Sequence, residues 1–172
     1  MENKSITEFT KYYKRTREAT NRVLAVIPPD KMDWSYLPGK FTIADLIRHI
    51  AAIERHLFME IARGHKPAYK GCGKELADGH QNVLQYFNEM HRQSLEILDA
   101  MSDADLLREV KTLDGRIISA GNFLRALIVH EVHHRGALCI YINLLGIKTP
   151  PIIGLMEEQV IQLSATYSLD DV

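Results

Sequence analysis

Three histidines and a glutamate lie close together in IVHEVHHRGAL, residues 128–138. His130, Glu131 and His134 follow the order H-E-x-x-H, which in zinc peptidases places two imidazole ligands and a general base on one helix. A third histidine, His133, lies within the same stretch. The pattern indicates a divalent metal ion, and the position of the remaining ligand decides whether the site is that of a peptidase.

Helical geometry separates these histidines. At about 100° per residue, His134 lies about 40° around the helix from His130 and one turn further along, so both can bind one ion. His133 lies about 100° from His134 and is expected to flank the site rather than to join it. The spacing alone is equally compatible with two packed or surface histidines, so a third donor has to be found.

His49 is the candidate for that donor. It falls on an apolar helix stripe with Leu46 and Ile50, just as His130 and His134 fall on the stripe of the last long helix. Three neutral imidazoles would leave a fourth coordination position for water or substrate, which is how catalytic zinc is held. The alternative for His49 is a core histidine that is hydrogen-bonded within the bundle.

A peptidase would need a third ligand downstream of the motif, and Glu157 or Glu158 could supply it. This hypothesis is the weaker one, because an all-helical chain has no edge strand to align a peptide and His49 already offers a third donor. Glu131 lies about 60° around the helix from His134 and about 100° from His130. We therefore expect it at the bundle surface or hydrogen-bonded to a ligand, with the surface favoured.

Four long helical segments position these residues. Apolar periodicity predicts helices over residues 6–27, 42–63, 80–101 and 119–145, with breaks at Pro28, Gly64 and Gly146. The segment REVKTLDGRIIS predicts a small hairpin or a loop around Asp-Gly, and GLMEEQVIQL has the pattern of a short terminal helix. The prediction is one all-α domain over residues 1–172, a four-helix bundle.

Composition excludes several classes of protein. The 21 lysines and arginines balance 22 aspartates and glutamates along the chain, so no nucleic acid is expected as a partner. No apolar run approaches the roughly 20 residues of a membrane span, so no membrane partner is expected. Cys72 and Cys139 are too few for a disulfide framework and the N-terminus is too polar for a signal peptide, which favours the cytoplasm.

For several other residues the sequence predicts a role less specifically. Arg48 and Arg135 are expected to pair with acids or to meet an anionic substrate, with a solvated or intersubunit place as the alternative. His91 has no companion at ligand spacing. Cys139 is expected to be a small buried apolar residue, and Trp34 to be an aromatic of the core or of a pocket wall.

Two longer stretches carry a resemblance to a known family. FTIADLIRHIAAIERHLF and the later LIVHEVHHRGALCIYINLLGIKTP resemble the DinB/YfiT family of bacterial four-helix proteins, over nearly the whole chain. The most specific part is H-E-x-H-H-R-G, although Ala137 stands where the family frequently has glutamine. The resemblance implies that His49, His130 and His134 hold a metal ion, nickel or zinc.

The same resemblance implies two kinds of function. One is a metal-dependent enzyme, in which the ion lowers the pKa of a bound water or of a low-molecular-weight thiol, as in thiol-dependent S-transferases that act on small electrophiles. The other is a non-catalytic metal-binding protein of the stress response. The resemblance also implies a homodimer formed through helix faces.

Overall fold

The computed structural model describes residues 5–168. Its longer helices are α1 (Ile6–Leu24), α2 (Ile43–Ile53), α4 (His80–Asp99) and α6 (Ala120–Leu144). The shorter ones are a 3-10 turn (Pro29–Lys31), α3 (Met59–Ala62), α5 (Asp103–Leu107) and α7 (Glu157–Thr166). The predicted all-α bundle of four long helices is confirmed.

Local caps set the start of the helices that carry the candidate ligands. The Thr42 hydroxyl accepts a hydrogen bond from the Asp45 backbone N–H at 3.0 Å, and the Asp45 carboxylate accepts one from the Thr42 N–H at 2.9 Å. This capping box satisfies two donors that the first turn of α2 would leave open. Ser119 caps α6 through a 3.3 Å bond from the Asn122 N–H. Both starts agree with those predicted from the sequence.

The second predicted helix is not a continuous α-helix. It is α-helical to Ile53, forms a π-helical turn over Glu54–Phe58, and resumes as α3. Such a turn adds a residue to the helical repeat and so changes the direction in which the following side chains point. Glu54, the first residue of the turn, is fully buried and contacts Arg17 of α1 and His91 of α4.

The segment between α5 and α6 is a hairpin. Strands β1 (Glu109–Lys111) and β2 (Ile117–Ser119) pair antiparallel, with Val110 opposite Ile118. The turn contains Gly115 at φ +86°, a conformation that is strained for a residue with a side chain. Of the two alternatives for this segment, hairpin or loop, the structure shows the hairpin. The predicted terminal helix α7 is confirmed. No residue of α7 is buried, so the core is built by the preceding elements.

Two apolar clusters form the core, and polar residues separate them along the helices. The first cluster contains Val23, Ile47, Ile50, Phe87, Leu138 and Ile142 among others, and the second contains Tyr13, Met59, Leu98, Leu124 and Leu127 among others. The residues between them on α1, α4 and α6 include Arg17, Thr20, His91, His130, Glu131 and His134. The bundle therefore has a polar layer between two apolar halves, and the H-E-x-x-H motif lies in it.

The tryptophan lies where the sequence predicted, whereas Cys139 is less buried than expected. Trp34 packs edge-on against Tyr141 with ring centroids 5.4 Å apart, as expected of an aromatic at the core. Cys139 is half-buried rather than fully buried, because its face of α6 is only partly covered. Cys72 is also half-buried, and neither cysteine forms a disulfide. None of the helices that the structure describes combines the length and the apolarity needed to cross a membrane.

Candidate metal centre

Three imidazoles from two helices converge at one point in the bundle. One ring nitrogen each of His49, His130 and His134 can be chosen so that all three lie within 4.8 Å of one another. The ring centroids are 5.0 Å apart for His49 and His130, 4.6 Å for His49 and His134, and 4.5 Å for His130 and His134. The structure thus brings together the three residues that the sequence singled out.

The three rings are neutral at physiological pH. Burial and, to a smaller extent, the neighbouring rings of His134 and His49 together lower the pKa of His130 to about 3. Burial also lowers the pKa of His134, to about 4, and lowers that of His49. Neutral imidazoles offer the lone pairs that a divalent cation needs, because metal binding requires deprotonated ligands.

The contact between His49 and His130 tests whether a cation fits. Their Nε2 atoms lie 3.1 Å apart, so either one neutral ring donates its Nε2–H to the other, or the lone pairs of both nitrogens face a cation between them. The lowered pKa values disfavour a doubly protonated ring and so keep a lone pair on each imidazole. Three imidazoles are a common donor set for zinc, nickel and related ions. The residues present therefore fit a divalent metal ion.

The flanking histidine and the two glutamates that a peptidase would need lie outside the group of three converging histidines. His133 is exposed, and its ring packs edge-on against His134 with centroids 4.9 Å apart, so it flanks the site as expected. Glu157 and Glu158 are exposed residues in the first turn of α7. Within residues 5–168, no other group of three or more His, Cys, Asp or Glu side chains converges in this way.

Glu131 is not at the surface, so the favoured sequence expectation was wrong. Its side chain is fully buried, with Oε1 accepting a 2.6 Å hydrogen bond from the Thr20 hydroxyl. Its Oε2 lies 3.1 Å from Nη2 of Arg17. The physical reason is that Glu131 faces α1, where the Thr20 hydroxyl hydrogen-bonds one oxygen and the Arg17 guanidinium lies at ion-pair distance from the other.

Arg17 connects Glu131 to a second buried acid, which sequence reasoning missed. The guanidinium forms an ion pair with Glu54 and lies 4.0 Å from the ring centroid of Phe87. Glu54 also contacts Nδ1 of His91 at 2.9 Å, so this histidine has a carboxylate partner. Arg17 and His91 hold the pKa of Glu54 below its ordinary value, against the opposing effect of burial. In the sequence, an arginine on the apolar stripe of α1 indicates that a buried acidic partner is needed.

The loop between α3 and α4 supplies a further contact that the sequence did not reveal. The Tyr69 hydroxyl lies 3.0 Å from Nδ1 of His49. Arg48 holds this loop, since it is fully buried and donates to the backbone oxygens of Cys72 and Ala77, each at 2.8 Å. Arg48 also pairs with Asp45 at 2.5 Å, so its expected acidic partner is present and its solvated alternative is excluded.

One side of the site is open to solvent. All three converging histidines are half-buried. The Phe41 ring lies 5.5 Å from that of His49, and 42% of Phe41 is exposed. The Tyr141 hydroxyl donates to the backbone oxygen of Phe41 at 3.1 Å, which holds this aromatic residue in place. The three imidazoles are therefore partly exposed to solvent, and an apolar ring lies beside His49.

Comparison with known proteins places this arrangement in a family. Residues 12–138 match the model of the DinB superfamily. The chain is 23% identical over 144 residues to the uncharacterized protein YjoA of Bacillus subtilis, an alignment covering 81% of this chain and 90% of YjoA. The crystal structure of YjoA superposes with a TM-score of 0.67 at 20% identity, over 84% of this chain and 95% of that chain.

Two further solved structures share the fold. YfiT from Bacillus subtilis, described as a probable metal-dependent hydrolase with an unusual four-helix bundle topology, gives a TM-score of 0.63 at 17% identity, covering 83% of this chain and 89% of YfiT. A mycothiol-dependent maleylpyruvate isomerase gives 0.53 at 24% identity, covering 77% of this chain and 60% of the isomerase. Because the family model matches residues 12–138, which are most of the chain, this chain belongs to the DinB superfamily.

Proposed function

We propose that this protein is a metal-dependent enzyme that transfers a low-molecular-weight thiol to a small electrophile. His49, His130 and His134 are the proposed ligands of a nickel or zinc ion. The observation that carries the proposal is the convergence of three neutral ring nitrogens within 4.8 Å on an accessible side of the bundle. Three protein donors leave a position for an exchangeable ligand, which is the usual arrangement of a catalytic ion.

The bound ion would supply a lowered pKa for a coordinated thiol or water, and so a nucleophile at neutral pH. The chain itself keeps the three imidazoles in their neutral form and limits solvent on the bundle side. Phe41 offers an apolar surface beside His49 for the carbon skeleton of an electrophile. The similar structures support both nucleophiles, because one is called a probable metal-dependent hydrolase and another is called mycothiol-dependent.

The thiol reaction is balanced without a redox partner. The sulfur forms a bond to an electrophilic carbon while a halide leaves or an epoxide C–O bond opens. The thiol proton passes to solvent in the first case and to the alkoxide in the second. Glu131 is not assigned as a base in this step, because both of its oxygens contact residues of α1. For the same reason the peptidase hypothesis is not proposed.

A homodimer and a cytoplasmic location complete the proposal. The outer face of α6 exposes Val129, Ile140 and Leu144, each more than half accessible, and such apolar residues are suited to a contact with a second copy. The two cysteines without disulfides agree with a reducing compartment that contains low-molecular-weight thiols. Light scattering should report twice the 19.6 kDa chain mass, and a monomer would contradict the dimer.

The activity is tested with purified protein loaded with nickel or with zinc. Each form is incubated with a low-molecular-weight thiol and a panel of haloalkyl and epoxide electrophiles, and conjugates are measured by mass spectrometry. We expect conjugate formation that requires metal and is lost in His130→Ala but kept in His133→Ala. Metal-loaded protein that forms no conjugate above the His130→Ala background would contradict the transferase and leave a metal-binding protein of the stress response.

A further inference from the structure

We propose that Tyr69 is a positioning residue for the metal centre, whose hydroxyl holds the Nδ1 edge of His49 so that Nε2 stays turned toward His130. The inference rests on the proposed function, because it assumes that His49 is a metal ligand. Tyr69 comes from the loop between α3 and α4, outside the two helices that supply the imidazoles.

The two nitrogens of His49 have separate partners. Nδ1 lies 3.0 Å from the Tyr69 hydroxyl, and Nε2 lies 3.1 Å from Nε2 of His130. When Nε2 donates its lone pair to an ion, the neutral ring carries its proton on Nδ1, and that N–H needs an acceptor. The Tyr69 oxygen is in place to accept it. Partners of this kind fix the orientation and tautomer of a metal-bound histidine and raise its basicity.

Cys72, three residues further along the same loop, lies beside the Tyr69 hydroxyl. Burial, with the neighbouring Cys72 as a smaller cause, raises the pKa of Tyr69 to about 12, so the hydroxyl keeps its proton. A hydroxyl that accepts from His49 can still donate that proton, and the Cys72 sulfur is a weak acceptor close to it.

The position of the loop is fixed from the helix that carries His49. Arg48, the preceding residue, donates from Nε to the Cys72 oxygen and from Nη1 to the Ala77 oxygen, each at 2.8 Å. A second anchor is the 2.8 Å bond from the Ala68 N–H to the His56 oxygen. Backbone bonds on both sides of Tyr69 therefore hold its ring against His49, so this contact is set by the framework and not by the tyrosine alone.

Tyr86 provides a matched control. It is also a half-buried tyrosine, on α4, and its hydroxyl is buried without a hydrogen-bond partner in the structure. Tyr69→Phe and Tyr86→Phe remove the same atom, one with a contact to a proposed ligand and one without. Cys72→Ser keeps a polar acceptor for the Tyr69 hydroxyl and tests whether sulfur itself is required.

The experiment measures zinc affinity by competition with a chromogenic chelator, together with the melting temperature of each metal-free variant. We expect Tyr69→Phe to bind zinc about 10- to 100-fold more weakly, the effect typical of losing such a partner. Tyr86→Phe and Cys72→Ser should bind within about twofold of wild type, a difference of less than about 0.5 kcal/mol. In the zinc form, proton NMR should show a slowly exchanging His49 Nδ1–H resonance that Tyr69→Phe loses.

Separate results overturn the inference and the proposed function. If His49→Ala loses zinc while Tyr69→Phe binds like wild type, the ligand set holds and the role of Tyr69 is wrong. If Tyr86→Phe is weakened as much as Tyr69→Phe, the effect is one of packing and the inference is also wrong. If His49→Ala binds zinc like wild type, His49 is not a ligand, and both the proposed ligand set and the role of Tyr69 fall.

Discussion

The Thr20 hydroxyl donates a 2.6 Å hydrogen bond to Oε1 of Glu131, so the glutamate of the H-E-x-x-H stretch is held by α1. Its other oxygen lies 3.1 Å from the Arg17 guanidinium. A general base has to reach a proton of the substrate or of bound water within hydrogen-bond distance. In this chain the glutamate instead joins the helix that carries two proposed ligands to the helix beside it.

Glu131→Gln should therefore retain metal and activity. The amide keeps the acceptor for Thr20, and the change removes no proposed ligand, so we expect zinc affinity to fall by no more than about 100-fold. Conjugate formation at saturating zinc should stay within about tenfold of wild type. Affinity and turnover are measured on the same preparation. A loss of turnover of several thousandfold with metal still bound would assign Glu131 the role of a base.

The ligand set itself gives the most direct prediction. His49→Ala, His130→Ala and His134→Ala should each lose tight metal binding, because two protein donors remain where three were present. His133→Ala is the matched control, since it removes an exposed imidazole from the same helix turn. Elemental analysis gives the stoichiometry after dialysis. Wild-type binding by His49→Ala together with loss in Glu157→Ala or Glu158→Ala would point to a peptidase-type ligand set.

The buried ion cluster should dominate the effect of mutations in α1. Arg17→Met leaves Glu54 and Glu131 buried without their shared cation, and breaking a buried pair in this way costs about 3–5 kcal/mol. Arg15→Met changes an exposed residue two positions away and should cost less than about 0.5 kcal/mol. Urea unfolding of both variants gives the two free energies, and equal values would contradict the structural role of the cluster.

Acid should destabilise the metal-free protein before its carboxylates titrate. Unfolded histidines have a pKa near 6.5, whereas those of folded His130 and His134 are about 3 and about 4. Between these values the unfolded chain binds protons that the folded chain does not, so the free energy of unfolding falls as pH falls from 6.5 toward 4. We expect the melting temperature to decrease from pH 7 to pH 5.

The change of melting temperature with pH shows which histidines cause the loss of stability. His130→Gln removes a group with a strongly lowered pKa and should flatten the pH dependence. Glu54 also has a lowered pKa, but its contribution is lost only below about pH 4.5, outside this window. A melting temperature of wild type that does not change between pH 7 and pH 5 would contradict neutral, buried imidazoles.

Local patterns in the sequence were enough for the places of the long helices, apart from the π-helical turn after α2, and for two of the proposed ligands. Thr42 and Ser119 stand at the predicted starts of α2 and α6 and cap them, because a cap depends on residues three positions apart. His130 and His134 share a face because a helix has a fixed angle per residue. The family resemblance and the apolar stripe of α2 led to His49. The Asp-Gly turn left a hairpin and a loop as alternatives, and the structure decided for the hairpin.

The tertiary structure decided the contacts between segments distant in sequence. The place of Glu131 depends on which face of α6 meets α1, and the angle per residue does not reveal which neighbour lies there. The π-helical turn at Glu54 follows no local periodicity and is associated with partners on α1 and α4. Tyr69 reaches His49 only because Arg48 ties an irregular loop to α2, and such loops carry no repeat from which a position could be read.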